Sequence, residues 1–119
     1  MLNLSHKKLV AWQKAIELLP LIYNLCKKLP KEETYNLISQ LKRATLSISN
    51  NLTEGCARKS KTEKNRFFEI SRSSLVEVDN CIEAALVLDY INKNDLPEIE
   101  QLVVELFKLI SGLIQSNLP

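Results

Sequence analysis

The chain has 119 residues, 45% of them hydrophobic and 25% charged, with a formal net charge of +2, two Gly and four Pro. That length bounds it to one domain able to bury a single core. The scarcity of aromatic residues and turn formers excludes an all-β sandwich, and so large an apolar share at so small a net charge excludes disorder.

Four segments show helical periodicity, and no linker or internal repeat divides them. The first is expected over about residues 6–29, with Ser5 as its N-cap and an apolar face of Leu9, Trp12, Ile16, Leu19, Tyr23 and Cys26. Pro20 removes one backbone donor inside it and should kink or split it. In the second segment, residues 31–56, Leu37, Leu41, Ala44, Thr45, Ile48 and Leu52 share an arc of about 100°. The opposite arc, with Asn36, Gln40, Arg43, Ser47, Asn50, Asn51, Glu54 and Arg58, is polar but rich in short side chains, unlike an ordinary solvated face. Gly55 reads as the left-handed residue that closes this helix.

The third segment, residues 61–91, opens at Ser60-x-x-Glu63, the spacing of a capping box. Its expected apolar face is Phe67, Ile70, Leu75, Val78, Ile82, Ala85 and Leu86, with Ser71 and Ser74 small enough to admit a neighbour closely. The fourth, residues 96–116, starts at Asp95-x-x-Glu98 with Pro97 in its first turn. It should bury Ile99, Leu102, Val103, Leu106, Leu109, Ile110, Leu113 and Ile114. Four amphipathic helices with short connections pack most simply as an all-α, up-down-up-down antiparallel four-helix bundle, here one domain over residues 1–119.

No apolar run approaches the ~20 residues of a membrane-spanning helix. The N-terminal MLNLSHKKLV lacks the apolar stretch of a signal peptide, so a cytoplasmic location is expected. Cys26, Cys56 and Cys81 form no CxxC pair and read as small buried hydrophobes. His6 is the only histidine; beside Lys7 and Lys8 it is expected to be solvated. A His-based metal cluster, a Ser-His-Asp triad or a Cys-His pair would each have to use it. The two glycines form no phosphate loop. No metal or cofactor is therefore expected.

The charge is unevenly spread. From Lys42 to Arg72 eight cations face three carboxylates, +5; from Glu77 to Glu105 eight carboxylates face Lys93 alone, −7. The basic stretch reads as a phosphate-binding surface where helices two and three join. The plainer alternative is that basic and acidic helices offset one another across the bundle or between subunits. Phe67 falls on the expected core face, which leaves Phe68 as the aromatic free to stack.

The residues also carry a family pattern. Val10, Trp12, Gln13, Lys14 and Ala15 are followed by Ile22-Tyr23, then by Pro30, Glu33, Tyr35, Leu37, Gln40, Arg43, Ala44, Ser47, Ile48, Asn51, Glu54, Gly55 and Arg58, then by Phe67, Ile70, Ser74, Leu75 and Glu77. This pattern, over about residues 4–115, resembles the bacterial four-helix-bundle proteins encoded in intervening sequences of 23S ribosomal RNA genes. The RAxxSIxxNxxEGxxR core is its specific part. Ser71, Ser73 and the Leu52-Thr53 pair depart from the family's usual residues. The resemblance implies an up-down bundle assembling as a homopentamer, without established enzyme activity. It extends in fold to the accessory variability proteins of diversity-generating retroelements, basic barrels that bind nucleic acid and a reverse transcriptase.

In that light Arg43, Ser47, Asn51 and Glu54 form one stripe, expected to be a buried polar seam that fixes assembly geometry. Arg43 and Glu54 are eleven residues apart, about 16 Å along a helix, so each must pair elsewhere. The expected function is a non-enzymatic oligomeric bundle binding structured RNA through Lys42, Arg58, Lys59, Lys61, Lys64 and Arg66, which contact phosphates without reading bases. The alternative is a scaffold docking an acidic protein partner on the same surface. Third comes a small metal-free enzyme, which would have to work with carboxylates, Lys, Arg and Tyr alone.

Overall fold

The periodicity resolves into four helices in the computed structural model, which describes residues Met1–Pro119. They are α1 (Val10–Cys26), α2 (Leu37–Cys56), α3 (Lys61–Val87) and α4 (Pro97–Ser116), with single 3₁₀ turns at Ser5–Lys8, Lys31–Glu33 and Lys93–Asp95. Each helix packs on its chain neighbours and α4 returns to α1, which closes an up-down-up-down bundle. Leu18 and Ile22 of α1, Leu41, Ile48 and Leu52 of α2, Leu75 and Val78 of α3, and Leu106 and Ile110 of α4 are fully buried. Burial of each stabilises the fold by roughly 1.5–3 kcal/mol before entropy is counted. No helix is long and apolar enough to cross a membrane.

The first helix differs from expectation in extent and phase. Ser5 opens a 3₁₀ turn instead of capping the helix, and Leu9 is the N-cap of α1, with no side-chain cap. The buried stripe is Ala11, Ala15, Leu18, Ile22 and Leu25, while Ile16 and Tyr23 are exposed. Two stripes satisfy the helical period here; the one carrying the small alanines faces inward and lets neighbouring helices come close. Pro20 neither splits the helix nor enters the core, because it lies on the exposed side. His6 is buried rather than solvated, its ring edge-on to Trp12 at 5.2 Å. Cys26 and Cys81 are buried and Cys56 half-buried; burial pushes all three thiols above their ordinary range.

In α2 the inward arc is the expected one. Gly55, however, is not left-handed and stands inside the helix. A Cβ there would sit 2.5 Å from Cε1 of the buried Phe68, so Gly55 serves close packing. The left-handed residue is Asp89, φ 60°, which stops α3 at Val87, short of the expected Ile91. Asp89 N–H donates to Leu86 O and Tyr90 N–H to Ala85 O, both at 3.0 Å, the bonding of a Schellman terminus.

At the other end of α3, Ser60 Oγ accepts from Glu63 N–H at 3.1 Å, as its spacing predicts. The inward stripe is Phe68, Ser71, Leu75, Val78, Ile82 and Ala85; Phe67 is half-buried and Ile70 exposed. Asp95 does not cap α4. Its carboxylate accepts from Asn92 N–H at 3.0 Å, closing the preceding turn, and pairs with Lys28. These two partners, the backbone N–H first, hold Asp95 below the usual carboxylate range. The helix itself begins at Pro97 and buries Ile99, Leu102, Leu106, Ile110 and Ile114, with Val103, Leu109 and Leu113 at the margin.

Candidate nucleic-acid interface

The connection from α2 to α3 is four residues long, Ala57 to Ser60, so the cations flanking it are forced into one small region. Lys64 turns back and donates to Cys56 O at 3.1 Å and to Gly55 O at 3.5 Å. It thereby serves Cys56 O, which no backbone N–H reaches, adds to Gly55 O, which also accepts from Arg58 N–H at 3.1 Å, and places its charge at the negative end of the helix dipole. Arg58 pairs with Glu54 one turn back at 3.6 Å. Its guanidinium stands 5.5 Å from the Phe67 ring centroid, and Arg66 approaches the same ring at 5.5 Å. Arg58 Nε is packed out of solvent without an acceptor. Lys59 and Lys61 are exposed, and neither forms an ion pair within the chain.

Lys42 stands apart. It lies fourteen residues before the end of α2 at Cys56, about 21 Å along the helix. There it caps the face of Tyr23 on the α1 side, 4.8 Å from the centroid. The structure therefore gathers Arg58, Lys59, Lys61, Lys64 and Arg66 at one end of the bundle and leaves Lys42 out. It also exchanges the roles of the two aromatic residues: Phe68 is core, and Phe67 is the partly exposed ring beside the cations.

The polar stripe of α2 faces α3 of the same chain. Arg43 Nη2 donates to Glu77 Oε2 at 2.7 Å, an exposed pair. Ser47 and Ser74 hydroxyls meet at 2.8 Å, and Asn51 Nδ2 donates to both the Oγ and the carbonyl of Ser47 at 2.9 Å. Deeper in, Ser71 Oγ donates to Ile48 O at 2.8 Å. Glu54 is not joined to Arg43; it faces Arg58 and so borders the basic connection. Ser71 is a core contact that the sequence marked only by its size. No three His, Cys, Asp or Glu side chains converge as metal ligands.

The family model of the 23S rRNA-intervening sequence protein matches residues 7–112, which takes in all of the bundle but the last turn of α4, with the polar stripe of α2 and the basic connection. The chain belongs to this family. No curated protein matches the chain. In this intervening-sequence protein the short α2–α3 connection explains why the basic residues cluster, and the Phe68–Leu75 spacing of seven residues explains why Phe67 is turned outward. That spacing, two helical turns, is the signal in the sequence that separates the two rings.

Proposed function

We propose that this intervening-sequence protein is a non-enzymatic oligomeric bundle, a pentamer in keeping with its resemblance, that binds structured RNA through phosphates. The observation that carries the reading is the grouping of Arg58, Lys59, Lys61, Lys64 and Arg66 around one four-residue connection. Phe67 holds two guanidiniums in place, which lowers the entropy lost when each engages a phosphate, and arginine can do so bidentately. Lys59 and Lys61 have no intrachain carboxylate to give up. Such contacts position a backbone without reading sequence. Cyclic assembly puts the same end of every copy on one rim, where linked sites raise a modest single-site affinity.

The test is titration of a folded RNA hairpin at rising salt, followed by fluorescence anisotropy. Affinity is expected to fall steeply with salt concentration. Lys59→Glu with Lys61→Glu should lower it more than tenfold, while Lys42→Glu leaves it within a few fold. Absence of binding at low ionic strength, or binding that survives the Lys59/Lys61 reversal, overturns the reading. If the basic end instead captures an acidic protein from nuclease-treated lysate, the scaffold alternative takes its place.

A further inference from the structure

The first sixteen residues carry Lys7, Lys8 and Lys14 and no carboxylate side chain, and none of these lysines belongs to the α2–α3 cluster. Lys14 is engaged, between Glu17 at 3.7 Å and Glu105 at 3.8 Å. Lys7 is half-buried, and its ammonium donates to Leu2 O. Lys8 is exposed and has no carboxylate partner within the chain.

The fold carries Lys8 to the basic end of the bundle. Helices α1 and α2 are antiparallel neighbours, and Tyr23 stands opposite Lys42. Val10 lies thirteen residues before Tyr23 and Gly55 thirteen after Lys42, so both are about 20 Å along their helices from that pair and share one level. The 3₁₀ turn Ser5–Lys8 comes just before Val10 and packs on α2, which puts it at the level of the Ala57–Ser60 connection. The end of α4 reaches the same place: Asn65 Nδ2 donates to Ile114 O at 3.0 Å, and Asn117 Nδ2 to Asn65 Oδ1 at 2.9 Å. Three stretches without a carboxylate side chain, residues 1–16, 55–62 and 106–119, therefore meet there. Of the carboxylates nearby, Glu54 is turned to Arg58, Glu63 is exposed in the first turn of α3, and Glu69 lies six residues beyond it.

The turn is also held in place. The His6 ring is buried against Trp12, and Gln13 Nε2 donates to Lys7 O at 2.9 Å. Both grips act on the residues directly before Lys8, so its backbone is fixed while its side chain stays free. We infer that Lys8 is a further phosphate contact of the RNA interface, and that Gln13 is the positioning residue that holds it there. The inference rests on the RNA-binding reading and widens its surface from one connection to the whole end of the bundle. A side chain on a backbone already fixed loses less freedom on binding than one on a loose chain end.

The experiment titrates the same RNA hairpin with full-length variants at several salt concentrations, read by anisotropy. Lys8→Gln changes an exposed, unpaired side chain, so helical circular dichroism should not alter. It should weaken binding severalfold and make the slope of log affinity against log salt shallower by about 1. Lys27→Gln, the same loss of charge at an exposed position at the opposite end, should leave the slope unchanged. Gln13→Ala should weaken binding in the wild-type background and add nothing in Lys8→Gln, whereas a merely structural role would cost the same in both. A wild-type slope in Lys8→Gln, or an equal change in Lys27→Gln, overturns the phosphate contact; if the Lys59/Lys61 reversal still abolishes binding, the RNA-binding reading stands without it. Additive effects of Gln13→Ala and Lys8→Gln overturn the positioning role. A wild type that does not bind the hairpin at low ionic strength overturns both the inference and the reading beneath it.

Discussion

Gly55 and Gly112 show how one residue type answers two different demands. Both lie inside helices, where glycine costs about 1 kcal/mol relative to alanine. A Cβ added at Gly112 would meet nothing within 4 Å, so Gly112→Ala should stabilise the protein by about that amount. At Gly55 the same methyl group would meet the buried Phe68 ring and, at 3.2 Å, Lys64 O. Gly55→Ala should therefore destabilise by about 1–3 kcal/mol, the usual cost of overpacking. Urea unfolding of the two variants checks both signs, since the midpoints should move in opposite directions. In the sequence Gly55 is legible as special but for the wrong reason: a glycine near a helix end looks the same whether it supplies a left-handed turn or room for a ring. The burial of His6 is hidden for a related cause, because its lysine neighbours say nothing about Trp12, whose ring covers it six residues on.

At the scale of elements, existence and order are legible in the sequence, and phase is legible only where one stripe dominates. In α2 and α4 the large aliphatic residues leave a single inward face. In α1 the inward residues include two alanines, so periodicity alone does not choose, and in the first half of α3 two adjacent phenylalanines compete, separated only by the seven-residue step from Phe68 to Leu75. Helix ends follow chemistry that spacing only partly reveals. Ser60 caps α3 as its spacing predicts, whereas the Asp95 carboxylate serves the turn before α4. Asp89 ends α3 in a left-handed conformation that costs a non-glycine residue about 1–2 kcal/mol and places a carboxylate at the negative end of a helix dipole. Asp89→Gly should accordingly stabilise the bundle by about 1 kcal/mol after glycine's greater unfolded-state entropy is deducted. A higher urea midpoint with an unchanged slope is the expected result.

For the whole molecule, the net charge of +2 conceals a basic end and an acidic flank. The fold separates what the chain holds in one run: the +5 stretch divides into the cluster at the α2–α3 connection and the distant Lys42, beside a different surface. Sequence reveals the basic residues but not this division, because distance along a helix becomes distance in space only once the helix is known to run unbroken. The stripe is legible as polar but it is not a buried seam: Arg43 and Glu54 at its ends are exposed, and Ser47 and Asn51 between them are only half-buried. Its partner, α3 of the same chain, is not legible, since spacing shows which side chains share a face and not what lies across from it.

The pairs Arg43–Glu77, Ser47–Ser74, Ile48–Ser71 and Gly55–Phe68 step in regular antiparallel register away from the α2–α3 connection. This has a kinetic consequence. Closing a four-residue loop loses little chain entropy, so contacts between α2 and α3 form early at small cost, whereas α1 and α4 must meet from opposite ends of the sequence. The α2–α3 hairpin is expected to be the folding nucleus. In stopped-flow measurements Ser71→Ala, at a cost of about 1 kcal/mol, should act mainly by slowing refolding. Ile110→Val, of similar cost, should act mainly by speeding unfolding. The hydrogen bonds that tie the two middle helices together would then set how fast the chain finds its shape, and the docking of the outer helices how long it keeps it.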